Sequence, residues 1–188
     1  TIKVVEDVLI QFNKEIKKAL KDKLCEAKSI TSKECNIILV KSEREELGFV
    51  GIPTDIKADI LNKIKEIPII APLGLNEDKQ VFNINADNAA GAIAKKLKAR
   101  RLLMISDVEG VLDINNKLIP EISPNQASNM INDEVIIGGM IPKINTCIDA
   151  ASNGVKGVVI IDGRRSHSIL FELFSDQGAG TLIRKWKT

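Results

Sequence analysis

The chain has 188 residues, 27 of them basic and 25 acidic, for a formal net charge of +2, and 44% of its residues are hydrophobic. This is a globular composition with enough apolar surface for a substantial core, and its near-balanced charge, without a basic block carrying interleaved aromatics, argues against nucleic-acid binding. Cys25, Cys35 and Cys147 stand far apart with no CxxC spacing, which argues against a disulfide framework and a structural zinc site. No apolar run approaches the roughly 20 residues of a membrane span and nothing has the layout of a signal peptide, so a soluble cytoplasmic protein is the expectation.

Ile2, Val5, Leu9, Phe12, Ile16, Leu20 and Leu24 recur at steps of three and four, which predicts a helix over 1–24 with one buried face and a lysine-rich wet face. Because the chain begins at Thr1, already inside this pattern, the natural start is expected upstream. Short β-rich runs at 36–40 and 47–51 flank the charged tract 42–46, which suits a solvated turn. A helical segment near 57–67 precedes Pro68-Ile69-Ile70-Ala71-Pro72, short enough to be a buried strand. From there strand and helix alternate: a helix over 86–97, a strand over 102–105, helices near 125–132 and over 141–151, a strand over 155–161 and a helix near 166–174. The expected fold is α/β, a mostly parallel sheet covered on both faces as a three-layer αβα sandwich. Asn115-Asn116 between two apolar runs adds a β-hairpin near 111–122, since asparagine tolerates the positive φ of a tight turn.

Two acidic residues end apolar strands, Asp87 in Asn83-Ile84-Asn85-Ala86-Asp87 and Asp107 in Met104-Ile105-Ser106-Asp107. Parallel strands open a ligand crevice at their carboxyl ends. Gly138-Gly139-Met140-Ile141-Pro142-Lys143 adds flexible backbone and a fixed cation, and together these read as a phosphoryl-transfer site in which Asp87, Asp107 and Lys143 converge on one triphosphate. Positioning and charge neutralisation dominate that chemistry. Neither a Walker A loop nor a GxGxxG followed by a VAIK-like lysine is present, so a different kinase fold is required. Plainer roles exist for each residue: a turn asparagine for Asn83, a helix N-cap for Asp87, a solvated lysine for Lys143 and a helix-start surface histidine for His167.

These stretches resemble the amino-acid kinase family, and within it the acetylglutamate kinases of the arginine pathway. The resemblance is carried by NINADNAAGAIAKKL at 83–97, LLMISDVEGVLD at 102–113, GGMIPK at 138–143 and IIDGRRSHSILFELFSDQGAGTLI at 160–183, and it covers nearly the whole chain. It implies a carbamate-kinase-like fold with the remainder of a substrate lobe over 1–82 and a nucleotide lobe over 83–188. It also implies ATP-dependent phosphorylation of the side-chain carboxylate of N-acetyl-L-glutamate, Mg2+ held mainly by phosphates and water, arginine as an effector, and a homo-oligomer at full length. Asn83 and Asn85 would hold the substrate, Asp87 would orient the catalytic lysines, and Lys143 would contact the phosphates.

By the same resemblance Ser106, Asp107, Val108, Gly110, Val111 and Leu112 would form the nucleotide loop. Val135, Ile136 and Ile137 would meet the purine, with Gly139 and Met140 beside the phosphates. His167, Glu172, Gly178 and Gly180 would form the arginine site. Two departures stand out. The family's glycine-rich phosphate loop, a further catalytic lysine and a substrate arginine fall upstream of Thr1, so this polypeptide alone is expected to be inactive or nearly so. Thr31-Ser32-Lys33-Glu34-Cys35 replaces the family's Ser-Gly-basic-Asp-Gly, so that turn must be rebuilt. A non-catalytic arginine- or nucleotide-binding module, and a kinase for another acceptor, remain open readings.

Overall fold

Helix α1 (Ile2–Lys21) opens the chain in the computed structural model, which describes residues 1–185. The helix is where the periodicity put it, and Ile2, Leu9, Ile16 and Leu20 of the expected inner face are half-buried, but the face is centred on two polar residues. Glu6 and Asn13 are buried, while Val5 and Phe12 of the expected inner face are 37% and 58% exposed, and Leu24, past the helix end, is 96% exposed. Polar partners explain the rotation: Asn13 Nδ2 donates to the Ile69 carbonyl at 2.7 Å, and Ser32 Oγ donates to Glu6 Oε1 at 2.5 Å. Among the described residues, no helix is long and apolar enough to cross a membrane.

The first unit, Thr1–Lys96, continues with β1 (Ala27–Ile30), β2 (Ile38–Ser42), β3 (Val50–Ile56), α2 (Ala58–Leu61), β4 (Ile67–Ile70), β5 (Leu73–Leu75), β6 (Val81–Ile84) and α3 (Ala86–Lys96). Strands β1 and β4 pair in parallel, and the order β2-β3-β6-β5 closes on itself. Ile37, Ile38, Val40, Ile56, Phe82 and Ile84 fill the core, with Ala89 of α3 against them. Strands β1 and β5 were not anticipated, and the helix expected over 57–67 is only the single turn of α2, because Ile67 to Ile70 extend to pair with β1. The expected division after residue 82 shifts to Lys96. Strand β6 pairs with β3 and β5, and α3 lies on β3, fastened by Lys96 Nζ to Asp55 Oδ1 at 2.6 Å.

The rebuilt turn at 31–35 closes by Thr31 N–H to the Glu34 carbonyl at 2.8 Å and Glu34 N–H to Thr31 Oγ1 at 3.0 Å. Cys35 takes the left-handed backbone, at φ +60°.

The second unit begins at Leu97 and contains β7 (Leu102–Ser106), β8 (Glu121–Ile122), α4 (Pro124–Asn132), α5 (Met140–Ser152), β9 (Val158–Asp162), α6 (Ser168–Phe174) and β10 (Gly180–Ile183). Its sheet runs β7-β9-β10-β8, with β7 parallel to β9, β10 antiparallel to β9 and β8 parallel to β10. Val158, Val159, Ile160 and Ile161 are all at 0% exposure, so β9 is enclosed on both faces, and α5 and α6 are helices that contact it. Helix α4 starts with a capping box, Ser123 Oγ accepting from Gln126 N–H at 3.1 Å and Gln126 Oε1 accepting from Ser123 N–H at 2.8 Å. The hairpin expected near 111–122 is present as an antiparallel bridge between Leu112 and Leu118, turned at Asn116 with φ +58°.

Candidate functional site

In the first unit, Asn83 lies on β6, where its N–H donates to the Phe49 carbonyl at 2.9 Å. Two residues on, Asn85 Oδ1 accepts from Asp87 N–H at 2.9 Å and Asn88 N–H at 3.2 Å, and thereby caps α3. The cap weighed for Asp87 therefore belongs to Asn85. Asp87 instead stands in the first turn of α3, where a carboxylate faces the positive end of the helix dipole. Asn83, Asn85 and Asp87 thus gather at the junction where β6 becomes α3.

In the second unit, register pairs Ser106 with Asp162, the last residues of β7 and β9, so the carboxyl ends of two parallel strands open side by side. Ser106 Oγ and Asp107 Oδ1 are 3.4 Å apart, and Gly163 N–H donates to the Ser106 carbonyl at 2.8 Å. Asp162 grips Arg164: Oδ1 accepts from the Arg164 backbone N–H at 2.9 Å and from Nε at 3.0 Å, while Oδ2 accepts from Nη2 at 2.9 Å. That guanidinium holds the Asp162 carboxyl below the usual carboxylate range. In return Asp162 raises Arg164, with Asp107 and Glu109 adding to the same field. The sequence reading assigned no role to Asp162 or Arg164; their place at a strand end, beside Ser106, is the signal that could have found them.

Behind Ser106 the expected nucleotide loop is anchored from below. Val111, at 2% exposure, donates its N–H to Thr181 Oγ1 at 2.8 Å, and Thr181 Oγ1 donates to the Ile119 carbonyl at 2.7 Å. Thr181 thus ties both arms of the hairpin to β10, a role no local sequence signal marks. Gly110 is buried and Val108 and Leu112 are half-buried, so this loop offers backbone more than side chains to a ligand.

Val135 and Ile136 both donate their N–H to the Met130 carbonyl, at 2.9 and 3.0 Å, ending α4. Ile136 is buried at 5% and Ile137 is 65% exposed, so of this pair the second is the one with its side chain in the open. Gly138 follows at φ +58° and Gly139 at φ −64°, an opposite-handed pair of the kind that turns successive N–H groups to one side. A Cβ on either glycine would meet no atom within 4 Å, so the approach is clear. Gly139 caps α5 without a side chain, Met140 begins the helix, and Lys143 lies half-buried one turn in. A helix start with uncovered backbone donors and a nearby cation suits a phosphate.

His167 is exposed, takes the left-handed backbone at φ +61° and starts α6, accepting Phe171 N–H on its carbonyl at 2.9 Å. Glu172 Oε2 accepts from Ala179 N–H at 2.9 Å and lies 3.0 Å from where a Cβ on Gly178 would stand, so Glu172 and that loop are brought together. Gly180 is inside β10, opposite Ile161.

A family model described as the amino acid kinase family matches residues 1–162. An acetylglutamate kinase of Pelagibacter ubique is 63% identical over 188 residues, covering 98% of this chain and 65% of its own length. Another, of a Bradyrhizobium species, is 45% identical over 202 residues, covering 98% of this chain and 68% of its own. Among solved structures, the smu.665 protein of Streptococcus mutans UA159 superposes with a TM-score of 0.80 at 27% identity, covering 97% of this chain and 71% of that one. The chain spans about two thirds of the length of the curated relatives it matches. Sequence match and superposition agree with the α/β units described above, and the chain belongs to the amino acid kinase family.

Proposed function

We propose that this chain serves the ATP-dependent phosphorylation of the side-chain carboxylate of N-acetyl-L-glutamate, giving an acyl phosphate. The observation that carries the phosphoryl half is the Gly138-Gly139 turn opening α5 with Lys143 one turn in. The acceptor rests on the 63% identity to an acetylglutamate kinase.

A carboxylate acceptor is already ionised near neutral pH, so no general base is needed. One carboxylate oxygen forms a bond to the γ-phosphorus as the bond to ADP breaks, and no proton moves. The demand on the protein is to hold two anions in line and offset their charge. Lys143 and the backbone donors ahead of it would serve the phosphates, with Ser106 and Asp107 at the nucleotide's edge and the exposed Ile137 against the purine. The uncovered N–H groups at 138–139 fit a phosphate chain, and Mg2+ bound to that chain would neutralise further charge while keeping most of its water. Asn83, Asn85 and Asp87 would serve the acceptor side. Glu172, beside Gly178 and Ala179, would receive the guanidinium of an inhibitory arginine, with His167 at the start of the same helix. An ATP-dependent reaction of a small acid fits a cytoplasmic setting.

The test is an ADP-release assay with N-acetyl-L-glutamate, L-aspartate and carbamate as alternative acceptors. It is run on this chain and on a fusion supplying the segment of the Pelagibacter relative that this chain does not match. Turnover of N-acetyl-L-glutamate that falls at least a hundredfold in Lys143→Ala is expected. Turnover of aspartate or carbamate in its place would remove the acceptor assignment. ATP binding without any turnover in the fusion would leave a nucleotide-binding module.

A further inference from the structure

One end of the second unit's sheet concentrates positive charge, and it is the end away from Ser106 and Asp107. Register sets Leu102, Val158 and Ile183 side by side, so the next row outward is Arg101, Gly157 and Arg184. Arg100 and Lys156 adjoin that row, and Lys156 N–H donates to the Ala99 carbonyl at 3.2 Å. A cavity of about 490 Å³ opens here, lined by Arg100, Arg101, Lys156, Arg184, Glu172 and Leu173.

Four cations against one carboxylate leave this cavity positive; the carboxylate is Glu172, the group proposed above for an effector's guanidinium, and its Oε2 accepts from Ala179 N–H. Arg184 is held by Glu121, its Nη2 3.2 Å from Oε2 and its Nε on Oε1. Among the described residues, no carboxylate lies within ion-pair distance of Arg100, Arg101 or Lys156. Arg101 is also placed: a Cβ on Gly157 would stand 2.7 Å from its Nη1, so the glycine leaves room for the guanidinium to cross the strand end. Clustered like charges at a concave surface raise the local concentration of a counter-anion, and planar guanidinium forks match phosphate and carboxylate oxygens. The volume falls within the roughly 300–1,000 Å³ of small-molecule sites.

We propose that this cavity binds a small ligand carrying two or more oxyanion groups, a diphosphate or a polycarboxylate. The site is separated from the proposed nucleotide end by the length of β7, five residues or about 16 Å, and it does not depend on the catalytic reading.

The experiment is calorimetric titration of the full chain with inorganic pyrophosphate and, separately, with citrate, at low and raised ionic strength. The titrations are made in the Lys143→Ala background, which disables the proposed phosphate site at helix α5, with and without Arg101→Gln or Lys156→Gln, each protein checked for an unchanged circular dichroism spectrum. In that background binding of at least one probe is expected, weakened at least fivefold by Arg101→Gln and by Lys156→Gln and weakened by salt. Pyrophosphate alone would point to a phosphorylated ligand, citrate alone to a polycarboxylate. Failure of both probes to bind at low salt in that background, or affinities untouched by Arg101→Gln and Lys156→Gln, would each overturn the proposal.

Discussion

Gly180 tests whether a residue of the proposed arginine site is there for the ligand or for the sheet. A Cβ at this position would lie 1.9 Å from the Ile160 carbonyl oxygen, 2.9 Å from its carbon and 3.1 Å from Ile161 Cγ2. The two nearest atoms are backbone of Ile160 in β9, at 0% exposure, so a rotamer change cannot relieve the clash. Gly180→Ala must push β10 off β9 by about 1 Å or more. Overpacking of this kind costs about 1–3 kcal/mol, and straining the ladder bonds of Gly180 with Ile161 adds about 1 kcal/mol. At roughly 2–4 °C per kcal/mol for a chain of this size, a loss of about 3 kcal/mol lowers the melting temperature by about 6–12 °C. Thermal denaturation followed by circular dichroism reads this directly. Gly178→Ala is the comparison. Its left-handed φ of +69° costs an alanine only about 1 kcal/mol, and its Cβ would meet only the end of the Glu172 side chain, at 3.0 Å. A Gly180→Ala protein melting within about 2 °C of the parent, or no more changed than Gly178→Ala, would refute the steric argument.

Thr181→Val keeps the shape of a side chain at 0% exposure but strands Val111 N–H and removes a donor from the Ile119 carbonyl. A loss of about 2–4 kcal/mol is expected, with faster amide exchange at Val111 and Ile119 as the local readout. Asp162 carries a pH dependence: its folded carboxyl titrates below the ordinary range because of Arg164, so its contribution is present above about pH 4 and fades as pH falls. The melting-temperature gap between parent and Asp162→Asn should therefore shrink below about pH 4, and a gap that widens there would contradict the assignment. Cys35→Gly should raise stability by about 0.5–1 kcal/mol, seen as a higher denaturant midpoint at unchanged slope, because the exposed Cys35 occupies a φ of +60° that costs a side chain about 1–2 kcal/mol. In the fusion, replacing Glu172 by alanine should weaken the proposed inhibition by arginine while leaving the Michaelis constant for ATP nearly unchanged; parallel loss of both would mean that the effector site is misplaced.

What could be read from the sequence follows the range of the forces involved. Helices α3, α4 and α5 and the cores of β7 and β9 declare themselves within a dozen residues, through apolar periodicity, small-residue packing and cap chemistry, and they lie close to where that reading placed them. Asn85 against Asp87 as the cap of α3 is a local question that the pattern left open, since both residue types cap helices and only geometry selects between them. Strand β10 escaped notice because Gly180 weakens its β signal, and glycine is there because another strand's carbonyl occupies the space of a side chain.

The rest depends on partners far along the chain. Asn13 is buried by a carbonyl 56 residues away, which is why the inner face of α1 departs from its apolar stripe. Thr181 joins groups 62 and 70 residues away, and nothing near position 181 announces that. The cationic cavity is the same effect in charge: Arg100 and Arg101, which end the basic run Lys95-Lys96-Leu97-Lys98-Ala99-Arg100-Arg101, Lys156 and Arg184 precede or follow three different strands. Only the alignment of Leu102, Val158 and Ile183 across the sheet concentrates them. Sequence reading therefore finds functional groups that sit on one local motif, such as Gly138 to Lys143, and misses those assembled by register, such as Asp162 beside Ser106 or Arg101 beside Arg184. Strand ends are where such assembly happens, the carboxyl ends of β7 and β9 for the proposed nucleotide site and the opposite edge of the same sheet, where β7 and β9 begin and β10 ends, for the anion cavity.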